Sequence, residues 1–593
     1  MNVIGITDGH NASVALFQDG KIIYAVSEER IIREKNVGGF PTHTLQRMMQ
    51  DLGLSPKDID CVAFSNKKTP RPEWFVKDKI LKQFKRQCTY KDRGLSVGGK
   101  IKKGIKGLLI NTCGKNSTQQ ESHSDIPDND RIKNLTDCGF TRDKLLFFDH
   151  HQCHVASAYY SDANYQSDIL CLTNDGGGDG LCATVSICKN GNIRRVSEVK
   201  QMYSIASLYA RATFLMGMVP LEHEYKLMGL APYSEQERAR ELANNILSRF
   251  DFTQEEGLAW ETKHCSGPTN LWGQYLNELF FLNRFDVIAA AMQLFVEEIT
   301  VKWVRNCIRK TGISRLVLSG GLFMNVKLNK LILELPEVES VFIMPSCSDD
   351  SNCFGAAYLG AINKGFDVLS ISPLRDLYLG IIYLEDCIKE TLRNYQFSQD
   401  VTIEEPECIE DVVADLLSVG EIVARYFGRE EFGARALGNR SILADPSKIE
   451  NIVRINKMIK QRDFWMPFAG TMTYDTAQKN LINLKNHFAP YMMMTFNTTN
   501  RVHEFTAATH QYDSTIRPQI LLEEWNPRYY RILKRFEVKT GSKGGLLNTS
   551  FNLHGYPIVS SPKDALNVFD RSGLQFIAIG NFLISKKRNV KSN

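Results

Sequence analysis

A strand–turn–strand segment occurs twice in this chain. Residues 12–22 (ASVALFQDGKI) align without gaps to residues 183–193 (ATVSICKNGNI). In each copy an Asp-Gly or Asn-Gly pair separates two strand-forming runs, which is a strong local signal for a β-hairpin. Each copy also follows an acidic glycine turn, residues 8–10 (DGH) in the first and 175–177 (DGG) in the second. The repeat predicts a duplicated α/β unit whose two acidic turns face one cleft.

Length and composition narrow the class of protein. A chain of 593 residues is too long for one core and should form two or three domains. The net charge of +5 is too small to indicate a nucleic-acid partner. The 14 cysteines contain no CxxC pair, which is typical of reduced thiols in a cytoplasm. No signal peptide is visible, and charged residues within the apolar segment 287–304 exclude a membrane span, so we expect a cytoplasmic protein.

Two histidines predict a metal site. His150 and His154 lie four residues apart in a helical segment, so their imidazoles share one face. Two imidazoles at that spacing can bind a transition metal, and a carboxylate from elsewhere often completes the set. Asp175 follows in the glycine-rich run 174–180. The alternative is a helix that carries chance histidines, but three of the 12 histidines fall within five positions.

A glycine turn after a buried strand indicates a nucleotide cleft. The strand 315–319 runs into glycines and then a helix, which offers free N–H groups to a phosphate or ribose. A similar arrangement recurs in residues 348–357. The residues expected to contact nucleotide in the first turn are Ser319, Gly320, Gly321 and Asn325.

Two further segments are unusual in composition, one rich in lysine and arginine and the other in arginine and glycine. Residues 67–115 carry 15 Lys or Arg against three acids, which predicts a mobile solvated insertion rather than a docking patch for an anionic partner. A linker is predicted from Gly365 to about Leu379, followed by a second α/β unit. In that unit residues 428–443 contain three arginines and three glycines, which suits a phosphate-bearing ligand, although surface ion pairs are an alternative.

Six motifs stand in the order seen in a known family. They are DGHNAS (8–13), HHQCH (150–154), EYKLMGLAPY (224–233), SGG (319–321), GARALGNRS (433–441) and NTSFN (548–552). In these motifs the chain resembles the NodU/CmcH family of O-carbamoyltransferases, which includes tobramycin, cephamycin and Nod-factor carbamoyltransferases. The resemblance covers nearly the whole chain and is weakest in an insertion at about residues 67–145.

The resemblance implies a fold and a metal. Residues 1–365 would form a domain like the tRNA threonylcarbamoyl-transfer protein Kae1, with the duplicated actin-like ATPase (ASKHA) fold. Residues 380–593 would form a YrdC-like α/β domain. An iron site, Fe²⁺ or another divalent transition metal, would use His150, His154, Asp175 and Asp349, with Asp350 as an alternative to Asp349.

The resemblance also implies a reaction and its residues. The C-terminal domain would release carbamate from carbamoyl phosphate and join it to Mg²⁺-bound ATP, giving carbamoyl-adenylate and pyrophosphate. The N-terminal domain would then carbamoylate a hydroxylated small molecule. The implied catalytic residues are His10 as base or orienter beside Asp8, and Lys226 near phosphate. Gly176 and Gly177 join the nucleotide-binding set above. The residues implied for carbamoyl phosphate and ATP are Arg429, Arg435, Arg440, Ser441, Asn548, Ser550 and Asn552.

Several alternatives remain open at this point. A kinase or ATPase of the same superfold is one, and a tRNA-modifying threonylcarbamoyl enzyme is another. His10 could contact a nucleotide phosphate instead of acting as a base. Aminoglycoside, β-lactam, macrocycle and lipo-oligosaccharide acceptors all fit the sequence, and a homodimer is one assembly open to the chain.

Overall fold

The computed structural model describes residues 1–68, 76–89, 129–252, 257–263, 266–541 and 544–587. Most of the basic segment 67–115 therefore lies outside the described residues. The strands are β1 Asn2–Thr7, β2 Ser13–Gln18, β3 Lys21–Ser27, β4 Cys61–Phe64, β5 Leu145–Phe147, β6 Ile169–Gly178, β7 Leu181–Lys189, β8 Asn192–Lys200, β9 Phe250–Phe252, β10 Trp260–Thr262, β11 Arg315–Ser319, β12 Ser340–Ile343, β13 Val401–Glu404, β14 Val423–Tyr426, β15 Arg440–Ala444, β16 Ala469–Thr473, β17 Leu481–Ile482, β18 Phe496–Thr498, β19 Thr515–Ile516, β20 Pro518–Leu521, β21 Gly545–Ser550, β22 Phe576–Ile579 and β23 Phe582–Lys586.

The α-helices alternate with these strands over much of the chain. They are α1 Glu29–Ile32, α2 Thr42–Asp51, α3 Lys77–Thr89, α4 Asn129–Asp137, α5 His150–Tyr159, α6 Ile205–Leu215, α7 Glu224–Leu230, α8 Gln236–Leu247, α9 Gly273–Phe280, α10 Phe285–Thr311, α11 Val326–Glu334, α12 Asn352–Asn363, α13 Glu385–Asn394, α14 Ile409–Ser418, α15 Glu450–Ile455, α16 Tyr474–Asn480, α17 Pro527–Thr540 and α18 Pro562–Arg571. Among the described residues, none of these helices is both long and apolar enough to cross a membrane.

The N-terminal half contains two five-stranded sheets with the same topology. Their strand orders are β3-β2-β1-β4-β5 and β8-β7-β6-β11-β12. In each sheet the three strands of the hairpin unit are antiparallel, and the remaining two strands continue in parallel from the central one. The duplicated, actin-like α/β fold predicted from the repeat is therefore confirmed.

The turn chemistry of the two hairpins explains why the repeat is visible in sequence. Asp19 and Gly20 have φ angles of 46° and 93°, and Asn190 and Gly191 have φ angles of 47° and 79°. Two successive left-handed residues are what a type I′ turn requires. The segment Val368–Ser370 lies against both turns, because a Cβ on either glycine would come within 2.7 Å of it. The predicted linker thus packs on both copies of the repeat.

The C-terminal half is built on an eight-stranded mixed sheet. Its order is β13-β23-β22-β14-β15-β21-β16-β20, with parallel pairing only between β14 and β22 and between β16 and β20 among the described strands. The helices α14 and α17 pack on this sheet through buried apolar side chains. One hydrophobic cluster includes residues of both halves, such as Leu172 and Met472. The two halves therefore share a continuous packed core.

The helix α12 fits between β1 and α5 at backbone contact distance. A Cβ on Gly5 would lie 1.8 Å from the carbonyl oxygen of Cys353, and one on Gly355 would lie 1.9 Å from that of Cys153. Only glycine allows such an approach. Since α5 carries the paired histidines and α12 follows directly after Asp349, these contacts set the spacing between the predicted metal ligands.

We expect Gly355→Ala to destabilise the protein by about 3 kcal/mol, because overpacking against a fixed carbonyl cannot relax easily. Gly360→Ala, on the same helix, is the matched control. Its nearest neighbours are the side-chain carbons of Val3 and Ala63, at 2.8 and 3.1 Å, and the gain in helix propensity of about 1 kcal/mol offsets part of the strain. Urea unfolding measures both variants. Equal losses of stability would contradict the packing argument.

Candidate functional site

A cavity of about 1630 Å³ lies between the two halves of the chain and is lined by both. The acidic glycine turns of the repeat open into it through His10 and Gly176. The C-terminal half contributes the loop after α15 and the end of β21, represented by Arg462 and Ser550. The predicted shared cleft is thus closed on one side by the second domain.

Four predicted metal ligands meet at the wall of this cavity. The Nε2 atoms of His150 and His154 lie 3.2 Å apart. An oxygen of Asp175 and one of Asp349 lie 3.4 and 3.5 Å from His150 Nε2. One donor atom from each residue falls within 4.8 Å of all the others. Tetrahedral bonds of about 2.0–2.1 Å place donor atoms about 3.3 Å apart, so the spacing fits a transition metal.

Outer contacts orient both imidazoles toward the cluster. His150 Nδ1 lies 2.8 Å from Asn66 Oδ1, and His154 Nδ1 lies 3.1 Å from Ser319 Oγ. With Nδ1 engaged, Nε2 is the nitrogen that remains for a metal. The buried Oδ1 of Asp349 has no hydrogen-bond partner among the described residues. A donor set with an unpartnered buried carboxylate oxygen is suited to a cation.

The electrostatics of the cluster also favour a cation. Burial lowers the pKa of His150, but the carboxylates of Asp349 and Asp175 outweigh burial and raise it to about 9. Burial raises the pKa of Asp175, but the hydrogen bond from His150 and the nearby imidazoles hold it well below its usual value. The carboxylates therefore stabilise positive charge, and a metal ion would displace the His150 proton.

The neighbouring Asp350 faces a different environment. Its Oδ2 accepts a hydrogen bond from Ser346 Oγ at 2.5 Å. Burial raises the pKa of Asp350 to about 7, and it is not among the four clustered donors. Of the two alternatives left by the sequence, the structure places Asp349 in the cluster.

Asp8 has a structural partner. Arg131 donates from Nε and Nη2 to its two carboxylate oxygens at 2.5 and 2.7 Å. A buried guanidinium thus engages both oxygens of Asp8, and Asp8 is not among the residues that line the cavity, so the structure gives it a structural partner and its implied catalytic role stays a prediction. His10 itself lies on the cavity wall. Its neighbour Asn11 donates to Ser348 Oγ at 3.2 Å, which ties this turn to the Asp349 loop.

Part of the predicted nucleotide set lines the cavity: Gly176, Gly177, Gly321 and Asn325. The Gly321 N–H donates to Asp175 Oδ1 at 3.0 Å, so this glycine turn is tied to the metal-donor cluster. Asn325 caps α11 through its side chain. Ser319 and Gly320 lie behind the wall, where a Cβ on Gly320 would come within 2.4 Å of the Asn174 carbonyl oxygen. These two residues support the site rather than form its surface.

The C-terminal half contributes a group of cations to the cavity wall: Arg435, Lys460, Arg462 and Arg517. No described carboxylate pairs with these three arginines, and the Nε atoms of Arg435 and Arg517 have no described hydrogen-bond partner. Burial lowers the pKa of Arg462 to about 10. Burial and the charges of Arg435 and Arg462 lower the pKa of Arg517. Enclosed cations that repel one another and have no described acidic partner are suited to binding an anion.

Lys460 connects this cation group to the predicted NTSFN motif. It ends a π-helical turn, Asn456–Lys460, of the kind often found at functional sites. Its Nζ lies 2.6 Å from Asn552 Oδ1 and 3.1 Å from Ser550 Oγ. Asn548, Ser550 and Asn552 all lie on the cavity wall. Their contact with carbamoyl phosphate or ATP stays a prediction.

Arg429, Arg440 and Ser441 do not line the cavity. Arg429 donates to three main-chain carbonyls, at 2.7 to 3.0 Å. Arg440 donates to the carbonyls of Phe427 and Gly428, at 2.9 and 3.1 Å. Ser441 Oγ accepts from a main-chain N–H at 3.0 Å. The ligand role predicted for these three residues is corrected to a structural one, because main-chain groups already engage them.

Lys226 lies at the junction of the two halves. Its Nζ is 3.1 Å from Asp463 Oδ2, and both residues line the cavity. The nearby Glu224 is enclosed, and burial raises its pKa to about 7. Lys226 is thus positioned to meet an anionic ligand from the N-terminal side of the cavity.

Family models match both halves of this chain. One described as the carbamoyltransferase N-terminus matches residues 2–358, and one described as the carbamoyltransferase C-terminus matches residues 414–586. The chain belongs to the carbamoyltransferase family. It is therefore a transferase, and the expected membership in the NodU/CmcH group is confirmed.

Relatives of this carbamoyltransferase span its full length or one part. An uncharacterized protein of Methanocaldococcus jannaschii is 30% identical over 98% of this chain and 99% of its own. Nodulation protein NolNO of Sinorhizobium fredii is 27% identical over 98% of this chain and 79% of its own. The 3'-hydroxymethylcephem-O-carbamoyltransferase of Amycolatopsis lactamdurans is 30% identical over 45% of this chain and 48% of its own.

Sequence reasoning missed several residues of this carbamoyltransferase site. Arg462 and Arg517 are isolated arginines beside loops, and such positions carry no periodic signal. Lys460 and Arg462 lie immediately before the turn-rich residues 464–470. Cations beside a turn-rich loop are a weak sequence signal for a ligand-binding loop. Arg131 and Asn66 lie in or beside the poorly matching insertion, where the resemblance gave no guidance.

We predict about one equivalent of a transition metal per chain, and we expect His154→Ala to lose at least tenfold in metal content. His151→Asn is the matched control on the same helix. His151 Nδ1 contacts Thr173 Oγ1 at 2.9 Å, and His151 is not among the clustered donors. Elemental analysis after loading with Fe²⁺ and gel filtration measures both variants. Equal metal content in the two would contradict the assigned ligand set.

Proposed function

We propose that this carbamoyltransferase is an ATP-dependent O-carbamoyltransferase. It forms carbamoyl-adenylate from carbamoyl phosphate and ATP, and then carbamoylates a hydroxyl of a small-molecule acceptor. One observation carries the proposal. A single cavity is lined by three of the four metal-donor side chains of the N-terminal half, His150, Asp175 and Asp349, with His154 directly behind them. The same cavity is lined by cations of the C-terminal half that pair with no described carboxylate. Cations that can hold a polyphosphate and donors that can hold a metal beside a carbonyl group lie in one cavity, which suits a reaction between these two groups.

The cation group of the C-terminal half would act in the first step, the formation of carbamoyl-adenylate. One water molecule hydrolyses carbamoyl phosphate, so that the bond between its carbamoyl and phosphate groups breaks and inorganic phosphate and carbamate are released. A carbamate oxygen then attacks the α-phosphorus of ATP, the α–β phosphoanhydride bond breaks, and pyrophosphate leaves. Arg435, Arg462 and Arg517 would hold the phosphoryl oxygens as charge shifts onto the leaving pyrophosphate. Mg²⁺ is the expected counterion of the triphosphate.

Residues of the N-terminal half would act in the second step, the transfer of the carbamoyl group to the acceptor. The acceptor oxygen forms a bond to the carbamoyl carbon, and the bond from that carbon to the AMP oxygen breaks. AMP leaves with the electron pair, and His10 accepts the hydroxyl proton. A divalent metal bound by His150, His154, Asp175 and Asp349 would polarise the carbamoyl carbonyl. The tether from Asn11 to the Asp349 loop supports the placement of His10 beside that group.

The two steps should respond to different substitutions. We expect Arg517→Gln to slow pyrophosphate release from ATP and carbamoyl phosphate by about a hundredfold, because a buried charge on the developing anion is lost. We expect His154→Ala to retain pyrophosphate release and to lose carbamoyl transfer. A coupled assay for pyrophosphate, with mass spectrometry of carbamoylated alcohols, measures both steps.

Arg535→Gln provides the matched control for the arginine change. Arg535 lies on the surface helix α17, where it pairs with Asp411 and is half exposed. This variant should match the parent enzyme in both assays. If His154→Ala loses pyrophosphate release as completely as Arg517→Gln, the assignment of separate steps to the two halves is contradicted.

A further inference from the structure

The helices α3 and α6 form a wall of the cavity that is mainly apolar, unlike the part lined by the cation group. Its apolar residues are Ile80 and Phe84 of α3 and Ala206 and Ala210 of α6, and Met202, in the turn just before α6, lines the cavity beside them. Gln83 and Gln87 add hydrogen-bonding amides, and neither helix contributes an acidic side chain to this wall. Such a surface suits a flat, partly apolar molecule and offers no carboxylate to a polyamine.

Arg211 is a buried cation within this wall. It is 4% exposed, its Nη1 donates to Gln87 Oε1 at 2.7 Å, and its guanidinium lies 5.5 Å from the centre of the Phe84 ring. Its Nε has no hydrogen-bond partner among the described residues. The nearest titratable group is Cys88, and burial raises the pKa of that thiol, so the thiol supplies no negative charge. A buried guanidinium with a free donor and no described carboxylate is costly unless a ligand supplies the anion.

The helix α6 relates Arg211 to the reacting centre. Ser204 Oγ donates to the Asp175 carbonyl at 3.1 Å, and Ser207 Oγ donates to the Gly176 carbonyl at 3.3 Å. The first turn of α6 therefore rests on the acidic glycine turn of the second repeat. Arg211 lies four residues after Ser207 on the same face, roughly 6 Å further along the helix axis.

From this arrangement we propose that the acceptor is a hydroxylated carboxylate with a flat apolar body. Its carboxylate would pair with Arg211, its apolar body would lie against Phe84 and Ile80, and its hydroxyl would reach the turn at Asp175. In the transfer, the hydroxyl oxygen bonds to the carbamoyl carbon, AMP departs, and the carboxylate is unchanged. The inference rests on the proposed function and names the acceptor class of the same site.

The test uses three para-substituted benzyl alcohols whose second substituent is anionic, neutral or cationic. These are 4-(hydroxymethyl)benzoate, its neutral amide 4-(hydroxymethyl)benzamide, and the cationic 4-(aminomethyl)benzyl alcohol. We expect the parent enzyme to bind the carboxylate about ten- to a hundredfold more tightly than the amide in ligand-observed NMR titrations, the range of a charge-assisted hydrogen bond. We expect the amine to bind more weakly than the amide. In Arg211→Gln the preference of carboxylate over amide should fall to about one, and in Arg211→Lys it should be partly retained.

The measured quantity is the ratio of carboxylate affinity to amide affinity within one protein. This ratio does not change if part of the Arg211→Gln sample is unfolded. The affinity for AMP should be equal in the parent and Arg211→Gln, with Arg535→Gln as a surface control. Equal binding of carboxylate and amide by the parent, binding of neither probe, or an unchanged preference in Arg211→Gln would each overturn the proposal. So would a loss of AMP affinity in Arg211→Gln, since Arg211 would then hold the nucleotide phosphate.

The failure of this inference is distinguishable from failure of the proposed function. If the parent enzyme releases pyrophosphate from ATP only when carbamoyl phosphate is present, the proposed chemistry stands whatever the probes show. If it does not, the proposed chemistry fails even where the carboxylate probe binds at Arg211.

Discussion

A close backbone contact between two helices of the N-terminal half determines the geometry of its site. Gly355 places α12 directly against the Cys153 carbonyl of α5. Cys153 lies within the helical turn that separates His150 from His154, and Asp349 stands just before α12. A displacement of one helix from the other would therefore separate the histidine and carboxylate donors. The spacing of about 3.2 to 3.5 Å between donor atoms is a consequence of how tightly two helices pack.

The parts of the cavity wall that come from the two halves of the chain favour ligands of opposite charge. At the N-terminal end, carboxylates and imidazoles stabilise an added cation, while at the C-terminal end Arg435, Arg462 and Arg517 lack acidic partners among the described residues. Lys226 of the N-terminal half pairs with Asp463 of the C-terminal half at the cavity wall. Buried cations without acidic partners destabilise the empty protein, and the polyphosphate of the proposed reaction would offset that cost on binding. Preorganised charge of this kind stabilises the transition state because it needs no reorganisation during the reaction.

The parts of this account that were predictable from sequence are those determined locally. Two-residue turns such as Asp19-Gly20 specify a hairpin by themselves, and a spacing of four residues places His150 and His154 on one helix face. The role of an arginine depends instead on which distant groups reach it. Arg440 donates to main-chain carbonyls and lies outside the cavity wall, whereas Arg517 lines the cavity and its Nε has no hydrogen-bond partner among the described residues. Nothing in the residues around either arginine distinguishes these outcomes, because the deciding contacts come from packing.

The central claim is that ATP is cleaved to an adenylate in this cavity, and the nucleotide product tests it most directly. The parent enzyme can be incubated with Mg²⁺, ATP and carbamoyl phosphate and followed by ³¹P NMR. The account predicts pyrophosphate, inorganic phosphate and an adenylate product in equal amounts, the adenylate being carbamoyl-adenylate or the AMP that its hydrolysis releases. It also predicts no nucleotide turnover when carbamoyl phosphate is omitted. Formation of ADP, or ATP cleavage that does not depend on carbamoyl phosphate, would contradict the account and indicate a kinase or ATPase.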